Sequence, residues 1–362
     1  MTMKRVLAVA VAGVLLLAGL YAGILRHRSE RTVSIGPDGA YPVGRATHEL
    51  ADRSRTDELA PRGGSPRMLS VWLWYPAAAR AGSESAYAPG AWRGLHRYGW
   101  AQTGFERIRT GTYDEAPVAA GKFPIVVLLP GLGLAAPQYA AVAAGLASRG
   151  YLVAGVTPTY SAALTVLGSG AVRGSAAGSD LDGPHGERLA TFWAADARFA
   201  AERVGVLLGD RADRARVTYV GHAFGGAAAI EACRTDVHCA GAASLDGAPV
   251  GPAVTLGLQH PLLLLGAGSG GATADPATHS LFAASGPSSW AYTVGGAEPL
   301  DFTDYAAYWL AAPVRRWLPV TGGDALPVVR DYLVAFLGTA VRGTTWQAPE
   351  AAGVRPAAML SR

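Results

Sequence analysis

The 362-residue chain is almost without lysine, having only Lys4 and Lys122, and it has only two cysteines. Charged residues make up 16% of it while half is hydrophobic, which excludes global disorder. The lysine shortage comes with abundant Ala and Gly and reads as compositional bias rather than function. Two thiols with no His or Cys in ligand spacing argue against a zinc site. His238 stands beside Cys239, but adjacency is not the geometry zinc asks for. Two readings of Cys233 and Cys239 remain: a local disulfide, which fits a domain outside the cytoplasm, or two buried free thiols.

Net charge is missing from the body of the chain. The whole sequence carries +4, and residues 1–31 account for all of it through Lys4, Arg5, Arg26, Arg28 and Arg31 against Glu30. The remainder holds 26 residues of each sign. A nucleic-acid partner is excluded, because that needs a basic patch on the folded domain. The first 31 residues include an uncharged run from Val6 to Leu25, 20 residues, enough to cross a bilayer as a helix. An uncleaved membrane anchor is the expectation. A cleaved signal peptide competes with it, though such a segment usually has a shorter apolar region and a clean A-x-A site. Basic residues flank both ends, so charge does not fix the orientation.

The organisation expected is an anchor over 1–31, a folded domain over 32–345 and a tail over 346–362. "THELADRS" and "MLSVWLWYP" read as early strands. The second alternates, with Leu69, Val71 and Leu73 on one face and Trp72 and Trp74 on the other. Residues 77–122 read as a long irregular stretch rich in aromatics, a binding loop or lid or a stretch carrying short helices, or else aromatic packing over a sheet edge. From Phe123 onward apolar strands alternate with helices. "FPIVVLLPGLG", "YLVAGVTPTY", "RVTYV", "AGAASLD", "PLLLLGA" and "WAYTVGG" are strands. "RLATFWAADARFAAERVGVLLGD" is a helix with Leu189, Phe192, Ala195, Phe199, Val204 and Leu207 at helical spacing. Such alternation specifies a mostly parallel sheet covered by helices on both faces, an α/β fold.

In such sheets chemistry sits at the carboxyl ends of the strands. There "VTYVGHAFGGAAA" reads as a strand, a Gly-flanked corner and a helix. That is the layout of a nucleophile elbow, G-x-S-x-G, with Ala223 in place of the serine. Asp246 in "SLDGAP" stands where the next strand stops, and "VGGAEPLDFTD" follows a later one. The chain order fits nucleophile, acid, histidine.

These pieces resemble the platelet-activating factor acetylhydrolase family, of the lipoprotein-associated phospholipase A2 type. The resemblance rests on "YPVGRATHEL", "VWLWYPA", "FPIVVLLPGLG", "ADARFAAERV", "GHAFGGAAAIEAC", "SLDGAPVGP", "DFTDYAAYW" and "RDYLVAFLGTAVRG", in family order over about residues 40–345. It implies an α/β-hydrolase fold, an ester or lipid substrate and no cofactor or metal. It places the family's serine at Ala223, its acid at Asp246 and its histidine at Pro299, and the oxyanion donors at the amides of Leu132 and Phe224. A strand-end "DH" pair common in the family is replaced by Thr157-Pro158.

Two of the three triad positions have therefore lost their chemistry. Alanine has no nucleophile, and proline can neither take a proton nor offer an N–H. Triad members act as a unit, so losing one costs several orders of magnitude. Backbone oxyanion donors do not depend on Ala223. Asp246 reads either as a retained functional acid or as a strand-end turn residue. His222 reads as packing, because neighbouring side chains on a strand end point apart. His260 lies at the wrong end of its strand. His96 and His185 lie in long loops and are the candidates for swinging in, while Ser269 and Thr303 lack a partner base. The expectation is a membrane-anchored pseudoenzyme, its domain outside the cytoplasm, that binds a lipid, an ester-like ligand or a partner. The alternatives are an active ester hydrolase using displaced residues and a structural cell-envelope protein.

Overall fold

The computed structural model describes residues 3–178, 181, 183–268, 271–311, 320–321, 325–357 and 360. The chain opens with α1, Met3–Ser29, an apolar helix exposed along almost its whole length. It is long and apolar enough to cross a membrane, as either an anchor or a signal sequence. Strands β1 (Val33–Ser34), β2 (Val43–Thr56), β3 (Pro66–Pro76), β4 (Glu84–Ala86) and β5 (Ile108–Asp114) precede β6 (Phe123–Leu129). Then come α2 (Ala140–Ala147), β7 (Leu152–Pro158), the hairpin β8 (Leu164–Leu167) and β9 (Gly170–Arg173), and α3 (Gly183–Leu208). Strand β10 (Ala212–His222) leads into α4 (Phe224–Thr235), β11 (Cys239–Leu245), α5 (Ala253–Leu256), β12 (Leu262–Ala267), α6 (Pro276–Ala284) and β13 (Ser289–Val294). Helices α7 (Tyr305–Tyr308) and α8 (Ala325–Arg342) and strand β14 (Val354–Pro356) close the described chain.

One twelve-stranded sheet runs in the order β1-β5-β2-β3-β7-β6-β10-β11-β12-β13-β14, with β4 beside β5. The run from β7 to β13 is parallel throughout. Its strands are apolar on both faces because both faces are covered. Val126, Leu128, Val220 and Leu263 pack toward α2 and α8, whereas Ile125, Val127, Leu129 and Tyr219 pack toward α3 and α4. β3 divides in the same way: Trp72 and Trp74 enter the first core, Leu69, Val71 and Leu73 the second.

Three local expectations need correction. Residues 77–122 carry short 3-10 turns with Tyr87, Trp92 and Phe105 packed beneath them, within the expectation, but they also hold β5, which pairs in parallel with β2 and extends the sheet. His185 lies in the first turn of α3 rather than in a loop. Of the expected face of α3, Leu189 and Val204 are buried, but Phe192, Ala195 and Phe199 are only half-buried and Leu207 is exposed, and the stripe is completed by Ala190, Trp193, Ala194, Ala197 and Ala201. Small side chains around Trp193 let α3 approach the sheet and α4 closely, and the two phenylalanines are left to its margins.

Cys233, in α4, and Cys239, the first residue of β11, are joined by a disulfide with Cα atoms 5.1 Å apart. Arg67 on β3 is fully buried and paired with Asp57 at 2.9 Å and with Asp196 of α3 at 2.6 Å. Strand order reverses at β6, because the chain leaves it for β7 on one side and returns to β10 on the other. In open α/β sheets the carboxyl ends of strands at such a reversal are where ligands bind.

Candidate active site

The corner between β10 and α4 is built so that residue 223 is forced outward. A Cβ on Gly221 would run into the Gly225 carbonyl, and one on Gly225 into the Pro130 carbonyl, so strand, helix and the loop after β6 close tightly only around glycine. Ala223 adopts φ 47° and ψ −123°, a conformation that costs an alanine about 1–3 kcal/mol. The corner is held on both sides: the Ala223 amide donates to the Leu245 carbonyl at 2.8 Å, and the Gly226 amide to the Ala223 carbonyl at 2.8 Å. This is the geometry of a nucleophile elbow, with a methyl group at its tip.

The loop after β6 faces that tip. A Cβ placed on Gly131 would lie 3.4 Å from the Ala223 Cβ. From 131 to 136 the amides are engaged with one exception. Gly131 donates to the Tyr139 hydroxyl, Gly133 to the Ser161 carbonyl, Leu134 to the Gly131 carbonyl, Ala135 to Gln138 and Ala136 to Thr157. The Leu132 amide donates to no described residue, nor does the Phe224 amide at the start of α4.

Asp246 lies beside the tip, because register pairs His222 with Leu245 on the adjacent parallel strand. Its Oδ1 accepts the amides of Ala267 and Ala272, both at 2.9 Å, so the carboxylate ties down the loop after β12. No Arg pairs with it among the described residues. Burial raises its pKa, those two amides oppose the rise, and the nearby Glu298 carboxylate adds to it.

Pro299 opens a 3-10 turn, Pro299–Phe302, beyond β13. Its carbonyl accepts from His222 Nε2 at 2.9 Å. A carbonyl only accepts, so Nε2 carries the proton and Nδ1 is the acceptor. Nδ1 meets the Tyr139 hydroxyl at 2.8 Å, and that oxygen already accepts the Gly131 amide. The relay therefore runs from the Gly131 N–H to Tyr139 Oη, from the Tyr139 O–H to His222 Nδ1, and from His222 Nε2–H to the Pro299 carbonyl. Burial pushes the imidazole down to about 4 and keeps it neutral. Sequence reading took His222 as packing. It is buried, against Phe302 and Tyr139, and it also links the three segments that surround residue 223.

A second buried group supports the same loop. Asp304 accepts the amides of Ala140 and Ala141 at 2.8 and 3.0 Å and the Tyr87 hydroxyl at 3.0 Å, which caps α2 immediately after that loop. Complete burial pushes Asp304 up to about 7. Asp304 lies in the quoted "DFTDYAAYW", but nothing in the sequence showed its capping role or that of Tyr139, since each acts through partners far away in the chain.

The other candidates do not gather at the tip. His185 Nε2 pairs with the Ala177 carbonyl at 2.7 Å, and the His96 ring packs on Phe105. Thr303 bonds the Leu300 carbonyl at 2.7 Å. Thr157 accepts the Ala136 amide, while Ser269 lies outside the described residues.

Sheet order, elbow and strand-end loops together define an α/β-hydrolase fold. Among solved structures, a ferulic acid esterase from Streptomyces cinnamoneus superimposes with a TM-score of 0.76 at 28% identity, over 90% of this chain and 99% of that one. No protein-family model matches the chain, and no curated protein matches it by sequence.

Proposed function

We propose that this chain is a catalytically silent member of the esterase-type α/β-hydrolases that binds an ester or acyl ligand without turning it over. One observation carries the reading. The elbow keeps its strained backbone and faces two uncommitted amides, Leu132 and Phe224, while the groups that would attack are a methyl at 223 and a proline at 299. Two fixed N–H donors hold a carbonyl or carboxylate oxygen without reacting with it. The ligand class follows from the family resemblance of the sequence, which favours a short acyl ester or a phospholipid. The neighbouring fold, a ferulic acid esterase, adds aromatic acid esters to the series to be tried. In this reading α1 anchors the domain to a membrane. The Cys233–Cys239 disulfide supports a position outside the cytoplasm.

The test is hydrolysis of a short acyl ester, a short-chain phospholipid and a feruloyl ester by the full chain in detergent. Ala223→Ser, Pro299→His and the double variant run beside it. The wild type and both single variants are expected to be inert, and the double variant to gain turnover. Wild-type turnover that survives Asp246→Ala would overturn the proposal.

A further inference from the structure

Away from the elbow, residues 97–100 form a tip, Arg97, Tyr98, Gly99 and Trp100, that is exposed throughout. Beyond α1, Trp100 and Tyr98 are the most exposed aromatic rings among the described residues, at 52% and 43%. Each has an apolar body and one polar N–H or O–H.

The tip is stiffly mounted. The Ala101 and Gln102 amides close a 3-10 turn on the Tyr98 and Gly99 carbonyls at 3.0 and 3.2 Å, and the Tyr98 amide donates to Gln102 Oε1 at 3.2 Å. Behind it the Leu310 amide donates to the Ala101 carbonyl and the Thr103 amide to the Tyr308 carbonyl, both at 2.8 Å. The Tyr98 ring packs on Trp309 at 5.4 Å and on Tyr305 at 6.4 Å between centroids.

α1 is fused to the same mount. Only residues 30–32 separate it from β1. The Gly104 amide donates to the Ser29 carbonyl at 3.1 Å, and the Arg26 guanidinium lies 5.4 Å from the centre of the Trp100 ring. Ala22 and Leu25 are half-buried where α1 meets the turn Gly99–Ala101.

Length sets the depth of the tip. The uncharged run from Val6 to Leu25 extends about 30 Å as a helix, the thickness of a bilayer's hydrocarbon core. Arg26 is the first residue past that run, so a ring packed against its guanidinium lies at the boundary between acyl chains and headgroups. Trp and Tyr concentrate in that layer, and an arginine there rests its stem on apolar surface while its charge stays in water.

We propose that the tip carrying Tyr98 and Trp100 is a membrane-docking surface, immersed in the interfacial layer of the bilayer that α1 spans. Recognition is by the amphipathic rings, so it does not depend on headgroup charge. Because the tip shares hydrogen bonds with the segment after α7, docking holds the domain in one attitude to the membrane instead of leaving it on a tether. The inference rests on the reading of α1 as an anchor, and it is independent of whether residue 223 is silent.

The experiment places the full chain in phosphatidylcholine vesicles whose acyl chains carry bromine near the headgroup or near the chain ends, and reads tryptophan fluorescence. α1 holds no tryptophan and gives no signal of its own. Bromine near the headgroup is expected to quench the wild type, and bromine near the chain ends to quench it at least twofold less. Trp100→Phe and Trp100→Tyr are each expected to reduce the quenching at least twofold, while Trp346→Phe, beyond α8, keeps it. Equal quenching of the wild type and both Trp100 variants would overturn the tip, as would an unquenched wild type that resists extraction by alkaline carbonate. Quenching that appears only when phosphatidylglycerol is added would overturn recognition by the rings. Release of the chain by carbonate would overturn the anchor, and the docking with it.

Discussion

His222 Nε2 donates to the Pro299 carbonyl across 2.9 Å and 77 positions of sequence. The residue preceding the elbow tip thus holds the segment where the resemblance places a histidine. With Tyr139 on its other nitrogen, this one neutral ring fixes the mutual placement of the elbow, the loop after β6 and the turn after β13.

His222→Phe keeps the ring volume and removes both hydrogen bonds. It leaves the Tyr139 O–H without an acceptor, though its oxygen still accepts the Gly131 amide, and the Pro299 carbonyl without this donor, at about 1–3 kcal/mol for each group that stays buried. Denaturant unfolding should show a loss of that size. In the Ala223→Ser, Pro299→His background, the same change should lower turnover beyond what the stability loss explains.

Two buried groups oppose each other with pH. His222 has a folded pKa of about 4 against an ordinary 6.5, so its contribution is complete above about 6.5 and is lost as pH falls toward 4. Asp304 is raised to about 7 from 3.8, so its contribution is complete below 3.8 and is lost as pH rises through 7. Between pH 4 and 6.5 each changes stability by roughly 3 kcal/mol, in opposite directions. Asp246, also raised, sides with Asp304. Unfolding midpoints should therefore rise with pH in Asp304→Asn and fall with pH in His222→Phe, with the wild type flatter than either.

Ala223 occupies a backbone region that glycine enters freely. Ala223→Gly should stabilise the fold by about 1 kcal/mol, the relief of strain exceeding the added chain entropy. Ala223→Ser should leave stability unchanged within about 0.5 kcal/mol. Thermal unfolding of the pair checks both. A destabilised glycine variant would show that the corner is not strained.

The disulfide closes a short loop between α4 and β11. For a sequence separation of 6, chain-entropy reasoning gives about 2 kcal/mol. Cys233→Ala with Cys239→Ala should lower stability by about that amount under oxidising conditions. The wild type should fall to the same level in reductant.

The parallel strands and the elbow corner were legible because their signals are local: apolar runs, terminal glycines and a turn of fixed spacing. The split of Trp72 and Trp74 from Leu69, Val71 and Leu73 was legible for the same reason, since strand alternation assigns faces directly. β5 was not, because its place depends on β2, more than fifty residues earlier. The buried face of α3 was legible at Leu189 and Val204 but not at Phe192 and Phe199, because hydrophobicity ranks phenylalanine above alanine whereas close approach to a sheet favours alanine. Arg67 reads in sequence as one more surface arginine, and only the fold brings Asp57 and Asp196 to it. At the site, Ala223, Asp246 and Pro299 were found through a resemblance and the chain order. The Tyr139–His222 contact, between side chains 83 positions apart, left no local trace.

The large sheet ends in clipped margins. β1 has two residues, and β4 and β14 have three each. In the proposed reading, in which α1 anchors the chain, it would diffuse in two dimensions beside copies of itself, where long bare strand edges would zip neighbours together. β1, β4 and β14 offer almost no ladder to extend, whereas β5 covers β2 only at Val43–Arg45, so the later part of β2 is the edge along which copies could pair.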